Sequence, residues 1–186
     1  MYKELPPEKF YHLINHGPCV IISSNEGEGT GGRTNIAPIA WYMPLNDDPA
    51  LVAVALGSTN YTTELIDKRK EFAINIPDVK LLTALVGSGR ISGRQTDKIK
   101  KFGVLIEEGK KISTPHIKNT VGWIECEVVD RKEYDGVILF VGKVVYCAVK
   151  GDAYKDESGL EPSVMPTAHH LGGKWFGVVE KKIPLW

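Results

Sequence analysis

The sequence lacks both an excess of charge and a long apolar run. Its 186 residues include 23 basic and 23 acidic side chains, so the formal net charge at pH 7 is zero, whereas nucleic-acid-binding domains usually carry a strong basic field. No apolar run approaches the roughly 20 residues that span a bilayer, and residues 1–10 are too charged for a signal peptide. These absences predict a cytoplasmic protein that binds neither nucleic acid nor membrane.

Cysteine is scarce, and the sequence contains only Cys19, Cys126 and Cys147. An odd count without a CxxC spacing argues against both a disulfide framework and a zinc site. We therefore expect three reduced thiols in the core. His169 and His170 are adjacent, so on a strand they point to opposite faces, and no cluster of ligands at metal-binding spacing accompanies them. The sequence thus predicts no metal site.

What is present is a series of strand-like segments joined mostly by short turns. Apolar or alternating patterns predict strands at residues 18–24, 33–42, 50–56, 72–76, 121–132, 137–149 and 175–179. Short helices are predicted at residues 7–16, 60–69, 79–86 and 96–102, and an exposed loop at 151–166. No internal repeat or long linker divides the chain, so we expect a single domain over residues 1–186, built as an antiparallel β-barrel.

The two longest strand patterns meet at Tyr134-Asp135-Gly136, and Asp-Gly is a preferred hairpin turn. The first strand alternates, with Cys126 on its apolar face and Glu125 and Glu127 on the other. The second, residues 137–149, is apolar on both faces. One face can fill the barrel, but the other needs a helix, a cofactor or another subunit to cover it. This pattern predicts a homodimer.

Two segments carry residue types suited to an anion site. In residues 87–98 small residues alternate with basic ones, and Thr96 could cap the helix that follows. A second cluster lies where a strand gives way to a helix, and its hydroxyls could donate to a phosphate near the positive helix end. The two sets are Arg90, Arg94 and Lys98, and Ser58, Thr59 and Thr62. Ordinary capping also explains either segment taken alone.

Several short motifs occur in a characteristic order along nearly the whole chain. They are TNIAPIAW at 34–41, STNYT at 58–62, EFAINIP at 71–77, SGRQTDK at 92–98, WIEC at 123–126, LFVGKV at 139–144, and LGG at 171–173 before WFG at 175–177. In order and spacing the chain resembles the flavin reductase-like FMN-binding split barrels, particularly the flavoredoxin branch. The resemblance implies a mainly β fold, a six-stranded antiparallel Greek-key split β-barrel with short peripheral helices. It also implies a homodimer with one FMN per subunit near the interface.

The resemblance further implies a set of cofactor-binding residues. Those beside or over the flavin ring are Ala40, Trp41 and Trp175, and those at the phosphate are Ser58, Thr59, Thr62 and Lys98. A small closed barrel has its interior filled by side chains, so the ring must lie on the outer wall. The motifs imply no particular catalytic residue.

The resemblance also has a departure. Many reductase members carry a histidine at or near the position of Val137, and this chain has none there, which weakens the expectation of direct NAD(P)H oxidation. Two functions therefore stay open: an NAD(P)H-dependent flavin reductase, and an FMN electron carrier that serves a redox protein partner. An OB-type nucleic-acid barrel is a third alternative, with a basic strip of Arg90, Arg94, Lys98, Lys100 and Lys101. Its single neighbouring aromatic, Phe102, is too little for base stacking.

Overall fold

The computed structural model describes residues 6–14, 17–27 and 32–183 of the chain. The helices are α1 (Tyr11–Ile14), α2 (Tyr61–Arg69), α3 (Leu82–Ser88) and α4 (Lys98–Phe102), with 3-10 turns at Pro7–Lys9, Val79–Leu81 and Gly151–Ala153. The strands are β1 (Val20–Asn25), β2 (Thr34–Ile39), β3 (Tyr42–Asp47), β4 (Ala50–Gly57), β5 (Glu71–Ile76), β6 (Ile106–Glu107), β7 (His116–Ile117), β8 (Gly122–Tyr134), β9 (Val137–Val149), β10 (Tyr154–Lys155), β11 (Gly159–Leu160), β12 (Thr167–Gly172) and β13 (Trp175–Val179).

The main sheet is antiparallel, with the strand order β2-β1-β5-β8-β9-β4-β3. Its two end strands, β2 and β3, are separated in the chain only by Ala40 and Trp41, so the backbone runs directly from one end of the sheet to the other and closes it into a barrel. Strand β5 returns to lie beside β1, which is the Greek-key arrangement. The predicted split barrel is confirmed. The predicted six strands correspond to the seven observed when β2 and β3 are counted as one bent strand.

The interior of the barrel is filled by side chains. Its buried apolar residues are Val20, Ile22, Ile39, Val52, Val54, Leu56, Ile66, Phe72, Ile74, Cys126, Ile138 and Phe140. Packing is close enough that a Cβ added at Gly142 would lie 2.7 Å from Cζ of Phe72. The core therefore leaves no room for a three-ring ligand inside the barrel.

A second apolar cluster fixes the outer helices against the barrel. Cys19, Ile21 and Ile36 of the β1–β2 region pack with Ala84 and Leu85 of α3, and Ile99 and Phe102 of α4 join them. Because α3 and α4 are both held in this way, the loop between them is held against β2. This packing positions one wall of the cleft described below.

The β8–β9 hairpin forms as predicted, with positive φ at Asp135 and Gly136. The polar face of β8 is not uniformly exposed, however, because Glu125 is fully buried. Its carboxylate accepts hydrogen bonds from the backbone N–H groups of Lys110 and Lys111 and from Nε1 of Trp123. Glu125 thus fastens a distant loop to the sheet, and a register shift lies directly after it.

Four other local predictions need correction. The segment at 7–16 forms only a 3-10 turn and the four-residue α1 in its described part. Helix α4 begins at Lys98, and the side chain of Asp97, not Thr96, caps it by accepting from the Lys100 N–H.

The loop at 151–166 is not wholly exposed, since Ala153 and Met165 are buried. Cys19 and Cys126 are buried as predicted, whereas Cys147 is exposed; all three are free thiols. In the described ranges, no helix combines the length and the apolar character that a membrane crossing requires.

Candidate functional site

A polar cleft of about 510 Å³ lies between the start of α2, strand β2 and the loop from α3 to α4. It brings together both sequence segments proposed for an anion site. The lining residues are Ala37, Pro38, Ile39, Thr59, Asn60, Tyr61, Thr62, Ser88, Gly89, Arg90, Ile91, Ser92, Gly93, Arg94 and Lys98. Three of the predicted phosphate residues, Thr59, Thr62 and Lys98, are therefore neighbours in space.

The first turn of α2 supplies hydroxyl and backbone donors to this cleft. Asn60 precedes the helix in an extended conformation and makes no side-chain cap, so the first N–H groups of the helix have no side-chain acceptor there. Thr62 is buried, and its Oγ1 accepts a hydrogen bond from Nδ2 of Asn35 at 2.9 Å. A hydroxyl that accepts one bond still has its own hydrogen to donate. The turn is thus arranged to donate toward the cleft.

Lys98 begins α4 and is 6% exposed. Its Nζ donates to the carbonyl oxygen of Ile36 at 2.8 Å, which ties α4 to β2 and leaves two further N–H donors on the ammonium group. Burial lowers the pKa of Lys98 to about 8, since desolvation disfavours the charged form. An anion bound beside it would favour the charged form and raise that pKa.

Two glycines allow the loop from α3 to α4 to lie against β2. A Cβ added at Gly93 would lie 2.1 Å from Oδ1 of Asn35 and 2.8 Å from Cδ1 of Tyr61. A Cβ at Gly89 would lie 2.7 Å from Cγ of Pro38. Neither position accepts a larger residue without moving the loop.

The guanidinium groups at the cleft are in different states. Arg94 donates from Nη2 to Oε2 of Glu64 at 2.8 Å and from Nη1 to the carbonyl oxygen of Thr59 at 3.2 Å. Arg90 is exposed and makes no ion pair with the described part of the chain. The cleft therefore has one guanidinium, that of Arg94, which hydrogen bonds hold in place. It has a second, that of Arg90, which makes no ion pair within the described residues.

An apolar groove of about 360 Å³ adjoins the cleft. It is lined by Phe10, Tyr11, Ile14, Ala40, Trp41, Tyr42, Met43, Ala53, Ala55 and Leu139. Ile39 lines the cleft, and the next residue, Ala40, lines the groove. Because consecutive Cα atoms are about 3.8 Å apart, the two surfaces come together along this backbone. Trp41 is 48% exposed and contacts the ring of Tyr11, with centroids 5.9 Å apart.

The remaining two predicted site residues line neither surface. Ser58 is half-buried, and its N–H donates to the carbonyl oxygen of Gly136. Trp175 lies on β13 with its side chain 77% exposed. Sequence reasoning missed Tyr61 and Gly93 as parts of the cleft, and it missed the buried Asn35 that hydrogen-bonds Thr62, although each lies inside one of the ordered motifs.

The geometry defines a barrel whose outer wall carries a cationic cleft and an apolar groove. Residues 11–170 match the family model of the flavin reductase like domain. The chain therefore belongs to the flavin reductase-like family.

Relatives and solved structures agree with this assignment. The Escherichia coli (strain K12) protein YddH is 31% identical over 95% of this chain and 96% of its own length. The NADH-dependent FMN reductase AsuE2 of Streptomyces nodosus subsp. asukaensis is 29% identical over 77% of this chain and 71% of its own. Flavoredoxin of Desulfovibrio vulgaris (Miyazaki F) has the same fold, with a TM-score of 0.86, 20% identity and coverage of 99% and 96% of the two chains. The FMN-binding protein of Thermus thermophilus gives a TM-score of 0.84, also at 20% identity, with 99% and 98% covered.

We expect Gly93→Ala to reduce the free energy of unfolding by about 1–3 kcal/mol, because the new Cβ forces Asn35 and Tyr61 aside. Gly151→Ala is the matched control, since a Cβ there meets nothing within 4 Å. Urea denaturation of both variants measures the difference. Equal stability of the two variants would contradict the close packing of the loop on β2.

Proposed function

We propose that this chain is an FMN-binding oxidoreductase that holds the flavin on the outer wall of its barrel, near a homodimer interface. The observation that carries the proposal is that a cationic, hydroxyl-lined cleft and an apolar groove are lined by consecutive residues, Ile39 and Ala40, of one backbone. FMN has the same division, with a phosphate at one end and a flat ring system at the other. Membership of the flavin reductase-like family supports the same assignment.

The cleft fits a phosphate monoester. Arg90, Arg94 and Lys98 supply positive charge, and Thr59 and Thr62 supply hydroxyl donors. The α2 N-terminus adds N–H groups without a side-chain cap. Each charge-assisted hydrogen bond to phosphate contributes about 1.5–3 kcal/mol. The cleft residues would therefore provide most of the affinity and fix the end of the ligand.

The groove fits the ring. Ala53 and Ala55 of β4 present only methyl groups on this outer wall, which leaves space over the strand. Trp41 lies at the side of that space, and an aromatic contact with it contributes about 0.5–1.5 kcal/mol beyond burial. Bound FMN would supply a ring system that accepts a hydride or single electrons. The chain's own residues orient that ring and exclude water from one of its faces.

A second subunit would complete the cover. Exposed apolar side chains surround the groove, including Ile14 at 73% and Met43 at 53% exposure, and a patch of this kind marks an association surface. Trp175 and Ser58 belong to the site only if ligand binding or the second subunit brings them to it. We retain both as proposals, with Trp175 over the ring and Ser58 at the phosphate.

The electron donor and acceptor distinguish two forms of this function. A similar protein is an NADH-dependent FMN reductase, which favours NAD(P)H as donor. Many reductases have a histidine at or near the position of Val137, which pairs with Gly57 in the sheet and lies beside the Gly57–Ser58 corner. The absence of a histidine there favours a carrier that exchanges electrons with a redox protein.

We expect the FMN-loaded protein to oxidise NADH slowly, because no side chain at Val137 can hydrogen-bond the donor. The measurement is steady-state NADH oxidation with an excess of the electron acceptor ferricyanide, and Val137→His is the companion variant. Acceleration by Val137→His supports the carrier form. Rapid turnover by the unaltered protein would contradict it and establish a reductase.

We expect the purified protein to retain FMN through desalting, with flavin absorption bands at a ratio of one FMN per chain. Arg90→Ala should weaken FMN binding by about tenfold or more, because it removes a charge-assisted contact to the phosphate. Lys101→Ala is the matched control, since this exposed lysine lies outside the cleft. Loss of all added FMN from the unaltered protein would contradict the proposal.

FMN affinity should fall as pH rises through about 8. In the free protein burial lowers the pKa of Lys98 to about 8, and a bound phosphate raises it, so binding takes up a proton above that pH. The affinity is therefore highest below pH 8. Titrations between pH 7 and 9, above the second ionisation of phosphate at about 6, measure the slope. Lys98→Met should abolish it, and an unchanged slope in that variant would exclude Lys98 from the site.

A further inference from the structure

Tyr61 stands at the centre of a set of contacts that the phosphate site alone does not require. It is the first residue of α2 and lines the cleft. The guanidinium carbon of Arg94 lies 5.2 Å from the centroid of its ring. The same ring limits the space at Gly93. Tyr61 therefore supports both the backbone and the side chain of the loop that faces the start of α2.

Arg94 is held from three directions. Its ring contact with Tyr61 lies between two hydrogen bonds, one to the carbonyl oxygen of Thr59 and one to the carboxylate of Glu64. These acceptors flank Tyr61 in the chain, so the short segment from Thr59 to Glu64, at the start of α2, carries all three contacts. A guanidinium has five N–H donors in a planar fork. The contacts fix the plane of that fork and leave donors for a ligand.

The phenol of Tyr61 fastens a different element. It donates a short hydrogen bond to Oε1 of Glu26, at the start of the β1–β2 loop. At the other end of that loop Nη1 of Arg33 lies 3.5 Å from the carbonyl oxygen of Arg94 and 4.0 Å from Oε1 of Glu26. Burial, with the hydrogen bond to Glu26, raises the pKa of Tyr61 to about 12, so the phenol remains a donor at physiological pH.

We propose that Tyr61 is a positioning residue for anion recognition, which orients the Arg94 guanidinium toward the cleft and ties Glu26, the residue after β1, to its rim. The inference rests on the proposed FMN function and deepens it. Without the ring, Arg94 keeps its ion pair with Glu64 but loses the surface that sets its plane. Glu64 and Glu26 carry negative charge that offsets the positive charge of Arg94 in the same network. The contribution of Arg94 to anion binding therefore depends on the orientation of its N–H donors rather than on net charge. Tyr61 thus acts on the phosphate end of the ligand and not on the ring end.

Comparison of FMN with riboflavin isolates this effect, since riboflavin has the ring but no phosphate. We expect the unaltered protein to bind FMN more tightly than riboflavin. Tyr61→Leu should weaken FMN binding by about three- to thirtyfold, which corresponds to loss of one cation–π contact, and leave riboflavin binding unchanged. Tyr61→Phe keeps the ring and loses only the tie to Glu26, so its FMN affinity should lie between the two. Flavin fluorescence titration measures all six affinities.

A second variant keeps the test decisive if Tyr61→Leu does not fold. Arg94→Lys keeps the charge but removes the planar fork, and should lower the FMN-to-riboflavin preference in the same way. In the double variant with Tyr61→Met, which also removes the ring, the two effects on FMN affinity should be less than additive. Additive effects would show that the residues act separately and would overturn the inference.

The outcomes separate the two proposals. If the unaltered protein prefers FMN and Tyr61→Leu keeps that preference, or loses both flavins equally, Tyr61 has no positioning role and only this inference is wrong. If the unaltered protein binds neither flavin, the proposed function is wrong and the inference falls with it. A selective loss of FMN supports both.

Discussion

The continuous backbone from β2 through Ala40 and Trp41 into β3 is the constraint on which the rest of the structure depends. It joins the two ends of the main sheet and closes the barrel. The same residues carry the boundary between the polar cleft and the apolar groove. Because consecutive residues of this backbone line the two surfaces, we propose that one ligand with a charged end and a flat apolar end contacts both.

The filled interior explains why the candidate binding surfaces lie outside. Phe72 and Phe140 are fully buried among aliphatic side chains, and Ile66 of α2 adds to the same cluster. Helix α2 contributes to both the core and the outer wall. Ile66 packs into the core, and the first turn of the helix faces the cleft. One short helix therefore couples barrel stability to the geometry of the anion site.

The parts of the fold that depend on residues close together in the sequence could be predicted. The Asp135-Gly136 turn and the alternation of β8 and β9 specify a hairpin through residues that are neighbours in sequence. The burial of Glu125 could not be predicted in this way. Its acceptor role depends on backbone N–H groups at 110–112, which reach it only in the folded chain. The sequence indicated Thr96 as the cap of α4, and the observed cap, Asp97, is the next residue.

Only part of the candidate site, likewise, could be predicted from the sequence. Thr59, Thr62 and Lys98 come together at one cleft, and the family resemblance implied that they share a phosphate site. Ser58 shares a segment with Thr59 but does not line the cleft, and its backbone N–H donates to the carbonyl oxygen of Gly136. The contacts of Tyr61 with Glu26 and Arg94 join residues about 30 positions apart, so periodicity and local propensity contain no signal for them.

The most direct test of the central claim is a crystal structure of the protein reconstituted with FMN. We expect a phosphate between the first turn of α2 and the loop carrying Arg90 and Arg94, with Lys98 nearby. We also expect a flavin ring along Ala40 and Trp41 on the outer wall. A flavin bound at another surface, or a phosphate lying away from Thr62 and Lys98, would contradict it.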